Sequence, residues 1–175
     1  MKIGLALLNI CFLVLISCDN NKANGEVVDN ENTNKKTLIT AKAIENFNYS
    51  DYVLSTDGET AVADWEKYQE FAIQISYLKK ADLSFFNGDK ELLKKFIEEL
   101  KAGLPKNLET NPIVSRVAII ETTTLRLNEN LRLDNISDQD KLKSVKEVVV
   151  AFSNLNYQIN KKLERDKYDK IQSEY

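Results

Sequence analysis

The fold of this chain is decided by residues 137–163, which read SDQDKLKSVKEVVVAFSNLNYQINKKL. The core-type positions of this stretch alternate spacings of three and four residues: Leu142, Val145, Val149, Phe152, Asn156, Ile159 and Leu163. This heptad pattern is typical of a long helix that packs against other helices along one stripe. Ser137 and Asp140 form an acidic variant of the capping box, so we expect the helix to begin there. The pattern then turns polar, and residues 166–175 are expected to fray.

A first helix is predicted upstream, from residue 60 to about residue 86. Its apolar face recurs at helical spacing in Trp65, Tyr68, Ala72, Ile75 and Leu78. Asp57-Gly58 is a turn signal before it, and Asn87-Gly88 is expected to end it because both residues tolerate a left-handed conformation. Residues 37–59 fit neither a helix nor a strand well, so we expect them to be an irregular lead-in, extended or partly helical, that lies on the domain.

Two more helices are predicted between these. One begins at the cap Asp89 and stops at Gly103. The next begins at the cap Asn111, with Pro112 at the first helical position, where its missing N–H costs nothing. Its stripe consists of Ile113, Val117, Ile120, Thr124, Leu127 and Leu131.

The predicted fold class is therefore all-α. No strand pattern competes with the helical ones, and the two prolines and five glycines lie mostly at the predicted breaks. We expect an antiparallel four-helix bundle over residues 60–165, preceded by the extended N-terminal lead-in.

The N-terminus carries a targeting pattern. Residues 3–16 are almost wholly apolar but too short to span a bilayer, which takes about 20 residues, so residues 1–17 are predicted to be a signal peptide. Leu15-Ile16-Ser17-Cys18 resembles the lipobox of bacterial lipoproteins, with a branched apolar residue three before the cysteine and a small residue directly before it. A plain secretory signal, which would prefer an Ala-x-Ala ending, and an uncleaved anchor are the alternatives.

The lipobox resemblance implies a lipoprotein precursor cut between Ser17 and Cys18. Cys18 would carry a diacylglycerol thioether with palmitate-type chains, and two or more acyl chains give stable anchoring. Residues 18–36 are polar and lack aromatic residues, so we expect the lipidated cysteine to be followed by a disordered tether that holds the domain about 25 Å from the lipid. The predicted location is the cell envelope, with the outer membrane favoured and the domain facing the periplasm or the surface.

Composition removes several classes of function. The chain has no histidine, so the commonest general base, the commonest zinc ligand and every Ser-His or Cys-His pair are excluded. Its net charge is −3 and it has no basic stripe, so no nucleic-acid partner is expected. Asp138-Gln139-Asp140 lacks the glycine and the distal glutamate of a calcium loop. We expect neither a metal nor a cofactor.

The candidate binding residues are Trp65, Tyr68 and Glu121. The two aromatic residues belong to a cluster near the first helix that also contains Tyr49, Tyr52, Phe85 and Phe86. Such a cluster can form a groove for a peptide or glycan, or anchor the lead-in on the bundle.

Glu121 lies beside the apolar face of its helix, either as a site carboxylate or as a boundary residue in an ion pair. Asn156, at a core-type position, is interpreted as a ligand contact, a register-fixing polar residue or a bundle edge.

Part of the mature chain also resembles small bacterial lipoproteins of uncharacterised function. The segments that carry this similarity are Tyr49-Ser50-Asp51-Tyr52-Val53-Leu54, Trp65-x-x-Tyr68-Gln69, Leu78-Lys79-Lys80-Ala81-Asp82-Leu83-Ser84-Phe85-Phe86, Ser115-Arg116-Val117 with Glu121, and Phe152-Ser153-Asn154-Leu155-Asn156. The resemblance implies a helical envelope lipoprotein and supplies no catalytic or binding residues.

Three functions are consistent with these observations. The first is a non-enzymatic module that binds or scaffolds another envelope protein. The second is a lipoprotein that binds a small molecule, peptide or glycan in the aromatic groove. The third is a carboxylate-dependent enzyme, such as a glycan hydrolase, which needs a second acid about 5–10 Å from Glu121.

Overall fold

The computed structural model describes residues 38–174, and this part of the chain is helical without a strand. Its elements are α1 (Ala41–Glu45), α2 (Thr56–Ala61), α3 (Glu66–Lys79), α4 (Lys90–Ala102), a 3-10 helix (Lys106–Leu108), α5 (Asn111–Arg132) and α6 (Asp138–Ser173). The predicted all-α class is confirmed. The signal peptide, Cys18 and the tether lie outside the described residues.

The two longest helices, α5 and α6, pair in antiparallel directions. Asn130 of α5 donates to the Ser144 hydroxyl of α6 at 2.7 Å, and Arg126, one turn earlier in α5, meets Glu147, later in α6, at 2.9 Å. The shared core stripe is buried: Ile113, Val117, Ile120, Thr124 and Leu127 from α5, and Val145, Val149, Phe152, Asn156 and Ile159 from α6. The heptad positions therefore do face the core, as their spacing predicts.

The helix starts follow the capping signals closely. The Ser137 hydroxyl accepts from the Asp140 amide at 3.1 Å and begins α6 as predicted. For α5 the prediction is wrong by one residue, because Thr110 is the extended cap residue and Asn111 already belongs to the helix. Pro112 still lies in the first turn, where no intrahelical N–H bond is lost.

Asp89 caps α4, and the stability that this cap contributes depends on pH. Its carboxylate accepts from the amides of Leu92 and Glu91 at 3.0 and 2.9 Å, and these bonds lower the pKa of the Asp89 carboxyl below its ordinary value of 3.8. A lowered folded-state pKa stabilises the fold above that ordinary value, and this stabilisation is lost as the pH falls through the folded-state pKa.

We therefore expect Asp89→Asn to match the wild type in urea unfolding near neutral pH, because asparagine caps as well as aspartate. At about pH 2 the wild type should lose more free energy of unfolding than Asp89→Asn, since only the wild type loses a charged acceptor there. Parallel losses in the two proteins across the acid range would contradict the assigned cap chemistry.

The single first helix predicted over residues 60–86 is wrong. Two helices, α2 and α3, replace its beginning, separated by a turn at residues 62–64. The helix ends at Lys79, and the chain reverses at Ala81, whose φ of 65° is the one positive value among residues 38–174. Asn87-Gly88 does not take the predicted left-handed conformation. The early exit lets Phe86 turn into the core, where it contacts Phe71 edge-on.

Asp57-Gly58 does not form the predicted turn, because both residues lie inside α2. The Ser55 hydroxyl caps α2 by accepting from the Gly58 amide at 3.2 Å. A Cβ at Gly58 would lie 2.9 Å from the Asn160 side-chain oxygen and 3.1 Å from a Leu54 methyl. A larger residue at this position would therefore displace the Asn160 side chain from its bonds to Val53 and Ser55.

The C-terminal helix is longer than predicted, since α6 continues to Ser173 beyond the expected end of its pattern. Ion pairs one turn apart support this extension, including Lys161 with Glu164 and Lys162 with Asp166. Lys167 also reaches Asp57 of α2 at 2.8 Å. Among the helices of residues 38–174, none combines the length and the apolar character needed to cross a membrane.

Candidate functional site: an extended segment held along the last helix

Residues 50–55, called the docked segment below, run as an extended chain along α6. The Ser153 hydroxyl of α6 accepts from the Tyr52 amide at 2.7 Å and donates to the Ser50 carbonyl at 2.6 Å. One side chain thus satisfies both a donor and an acceptor of the docked segment.

Two asparagines of α6 continue this contact. Asn156 donates to the Tyr52 carbonyl at 3.0 Å, and Asn160 donates to the Val53 carbonyl at 2.8 Å. The Asn160 side-chain oxygen also accepts from the Ser55 amide at 2.9 Å. All of these bonds reach backbone atoms, so α6 recognises the docked segment mainly by its extended conformation.

The spacing of the three side chains explains why an extended chain fits. From Ser153 to Asn160 the helix rises about 10.5 Å, at 1.5 Å per residue. Three extended residues, such as Tyr52 to Ser55, cover about 10 Å. Polar side chains at i, i+3 and i+7 of α6 therefore stay in register with the backbone beside them.

Asn156 joins the docked segment to the core. Its side-chain oxygen accepts from the Tyr68 hydroxyl at 2.7 Å, while its amide group holds Tyr52. Both Asn156 and Tyr68 are buried. Burial, with a smaller effect from the Glu59 carboxylate, raises the pKa of the Tyr68 phenol well above its ordinary value. The phenol therefore remains a neutral donor to Asn156 at physiological pH.

The predicted aromatic cluster is largely part of the core. Trp65 is buried, and its indole N–H donates to the Leu100 carbonyl at 2.8 Å. Its ring stacks on Tyr68 with centroids 5.2 Å apart, and Tyr68 stacks on Phe152 at 5.5 Å. Tyr52 differs from these residues because 39% of it is exposed, beside Tyr157.

Glu121 lies apart from this cluster, at the contact between α4 and α5. Its carboxylate meets the Lys101 ammonium at 2.8 Å, and 32% of its side chain is exposed. The structure thus places Glu121 in an interhelical ion pair and does not bring it together with Trp65 and Tyr68.

Two open clefts border the docked segment. One has a volume of about 410 Å³ and is lined by residues that include Phe47, Tyr49, Asp51 and Lys79. The other has a volume of about 450 Å³, and its lining includes Leu54, Glu59, Tyr68, Phe152 and Asn156. Each cleft combines apolar walls with a few charged groups, as small-ligand and peptide sites do.

Charge in the first cleft is partly compensated. The Asp51 carboxylate meets the Lys79 ammonium at 2.6 Å. Burial raises the pKa of the Tyr49 phenol, although the Lys79 charge opposes this effect. Across residues 38–174 no three acidic or cysteine side chains converge in a way that would hold a metal ion.

Sequence reasoning missed Ser153 and Asn160. The signal that could have found them is the line of small polar residues beside the heptad stripe, which continues through Asn156 at spacings of three and four. A polar line on a helix that faces a segment without helical periodicity offers that segment its hydrogen-bond partners.

Comparisons with protein-family models, with curated proteins and with solved structures find no match to this chain. Its function is therefore inferred from its own residues.

Proposed function

We propose that this chain is a lipid-anchored protein of the bacterial cell envelope whose helical domain binds or scaffolds another envelope protein. The observation that carries the proposal is Leu15-Ile16-Ser17-Cys18 at the end of an apolar run of signal-peptide length. Lipid on Cys18 would hold the domain to a membrane, with the outer membrane favoured, and residues 18–36 would form its tether.

We also propose that residues 60–165 form an antiparallel four-helix bundle with residues 37–59 as its lead-in. Polar contacts between α3, α4, α5 and α6 support this arrangement. Lys67 of α3 meets Glu99 of α4 at 3.4 Å, Lys101 of α4 meets Glu121 of α5, and Tyr68 joins the start of α3 to α6. The bonds from α6 to the docked segment support the lead-in.

Several polar side chains of the domain hold backbone segments in place, and this favours a binding role over a catalytic one. Tyr68 donates to Asn156, which holds the docked segment, and the buried Asn128 amide donates to the carbonyls of Phe86 and Gly88. Glu121 is the one carboxylate whose sequence position made it a candidate site residue, and it is held in an ion pair with Lys101. A carboxylate-dependent enzyme would need a second acid about 5–10 Å from Glu121 across a cleft.

In-cell crosslinking followed by purification tests the binding role. We expect the full chain with a C-terminal tag to capture a reproducible envelope protein. The matched control carries residues 1–36 on an unrelated soluble domain, so that it shares the proposed anchor and tether. Capture of the same protein by both would assign it to the anchor, and recovery of uncrosslinked monomer alone would contradict the proposed role.

A second candidate function is binding of a small molecule or glycan in the cleft next to Tyr68 and Asn156. Its volume of about 450 Å³ and its aromatic wall favour this candidate. Ligands that bind only the folded state raise its melting temperature. A melting temperature unchanged across a broad panel of envelope metabolites would remove the candidate.

A further inference from the structure

The docked segment uses only one of its two hydrogen-bonding edges. The amide and the carbonyl of Tyr52, the carbonyls of Ser50 and Val53 and the amide of Ser55 are all bonded to α6. The N–H and C=O of Asp51 and the N–H of Val53 make none of these bonds, and we call these three groups the outer edge.

The outer edge has no partner within residues 38–174. Neither the N–H nor the C=O of Asp51 is hydrogen-bonded to this part of the chain, and the N–H of Val53 is also free. The Val53 side chain is 76% exposed, and Ser50, Asp51 and Ser55 are exposed as well. Unpaired groups along an exposed extended segment are a template for pairing with another chain.

The surroundings favour a basic partner. The two clefts beside the docked segment are lined by three carboxylates, from Glu45, Asp51 and Glu59, and by one ammonium, from Lys79. Their apolar walls come from residues such as Phe47, Leu54 and Phe152. An extended peptide with alternating basic and apolar side chains matches this combination of charge and apolar surface.

We propose that the docked segment is a strand-addition site, on which an extended basic segment of an envelope partner pairs with the outer edge of residues 51–53. Backbone hydrogen bonds would provide affinity, and alternating side chains in the clefts would provide selectivity. The inference deepens the proposed binding function and rests on it, because it names the chemistry of the partner.

A second copy of the chain is a poorer occupant. The docked segment contains no basic side chain, so a second copy of it offers nothing to the carboxylates of Glu45 and Glu59, which line the clefts without an ion pair to residues 38–174.

Val53→Pro is the variant that separates the two edges. Proline removes the Val53 N–H, which has no partner in residues 38–174, and its fixed φ is compatible with an extended edge. The residue before a proline prefers an extended conformation, so Tyr52 can keep its place in the docked segment. The bonds from α6 to Tyr52, Val53 and Ser55 do not use the missing N–H. Val53→Ala is the matched control because it retains the N–H.

Fluorescence anisotropy with a labelled peptide of about eight alternating lysine and valine residues tests the proposal. The protein is the full chain in a non-ionic detergent. We expect saturable binding to the wild type and to Val53→Ala. Binding should be about five- to tenfold weaker for Val53→Pro, as expected from the loss of one backbone hydrogen bond. Slow hydrogen exchange at the Tyr52 amide in Val53→Pro would verify that the docked segment is still in place.

Several results would overturn the proposal: equal binding to Val53→Pro, equal binding of a glutamate–valine peptide, or no saturable binding to the wild type. A dimer in sedimentation that Val53→Pro dissociates would replace the peptide with a second copy. Because the peptide is added in solution, these outcomes are independent of the anchor, which is tested through Cys18.

Discussion

Replacing Cys18 with serine is expected to move the protein from the membrane fraction to the soluble fraction. The proposed thioether needs the cysteine sulfur, and a serine hydroxyl does not replace it. Each buried methylene of an acyl chain contributes about 0.8 kcal/mol, so losing two or more chains removes nearly all of the membrane affinity. Cell fractionation with a palmitate label measures both consequences.

The other cysteine of the chain provides the matched control. Cys11 lies inside the apolar run that the proposed cleavage removes, so Cys11→Ser should leave labelling and membrane association unchanged. The helical domain should have the same circular dichroism and melting temperature in both variants. A Cys18→Ser protein that stays firmly in the membrane fraction would refute anchoring through this residue.

Asn156→Leu is expected to destabilise the domain by about 3 kcal/mol or more. The substitution leaves the buried Tyr68 hydroxyl and the Tyr52 carbonyl without their partner, and each unsatisfied buried group costs about 1–3 kcal/mol. Urea unfolding measures the change. Asn154→Leu, on the exposed side of the same helix, is the matched control and should change the free energy of unfolding by less than about 0.5 kcal/mol.

The sign of the change in the free energy of unfolding distinguishes two roles of Asn156. If Asn156 only fixed the register of the helices, Asn156→Leu would stabilise the domain. At such a position leucine fills the core stripe and raises stability. The double variant Asn156→Leu with Tyr68→Phe removes the orphaned hydroxyl as well, so its destabilisation should be less than the sum of the two single effects. An Asn156→Leu protein more stable than the wild type would contradict the assigned bonds.

Local signals predicted much of the helical structure correctly. The heptad stripe of α6, the Ser137 cap and the Asp89 cap all lie where the pattern places them. These features depend on residues within one or two turns of each other, so they can be recognised without knowledge of distant contacts.

The errors arise from contacts between residues far apart in the sequence. The first helix ends at Lys79, which lets Phe86 pack against Phe71 in the core, and a Cβ at Gly58 would meet the side chain of Asn160. Neither contact is visible in the local pattern. The same reason explains why Asn87-Gly88, a good local signal for a helix exit, does not serve as one here.

The candidate site was accessible to sequence reasoning only in part. Tyr68 and Asn156 are recognisable as an aromatic and a polar residue on core-facing stripes, but their mutual bond spans two helices. Ser153 and Asn160 acquire their role only once residues 50–55 lie along α6. A segment without periodicity does not identify its partner, since its backbone accepts bonds from any suitably spaced polar side chains.

Mass spectrometry of the N-terminal peptide, from protein purified out of the membrane fraction, tests the central claim most directly. The account predicts that the mature chain begins at Cys18, with a mass increase equal to a diacylglyceryl group and, where the new amine is acylated, a further acyl chain. Recovery of peptides that contain residues 1–17, or of an unmodified Cys18 in membrane-bound protein, would contradict it.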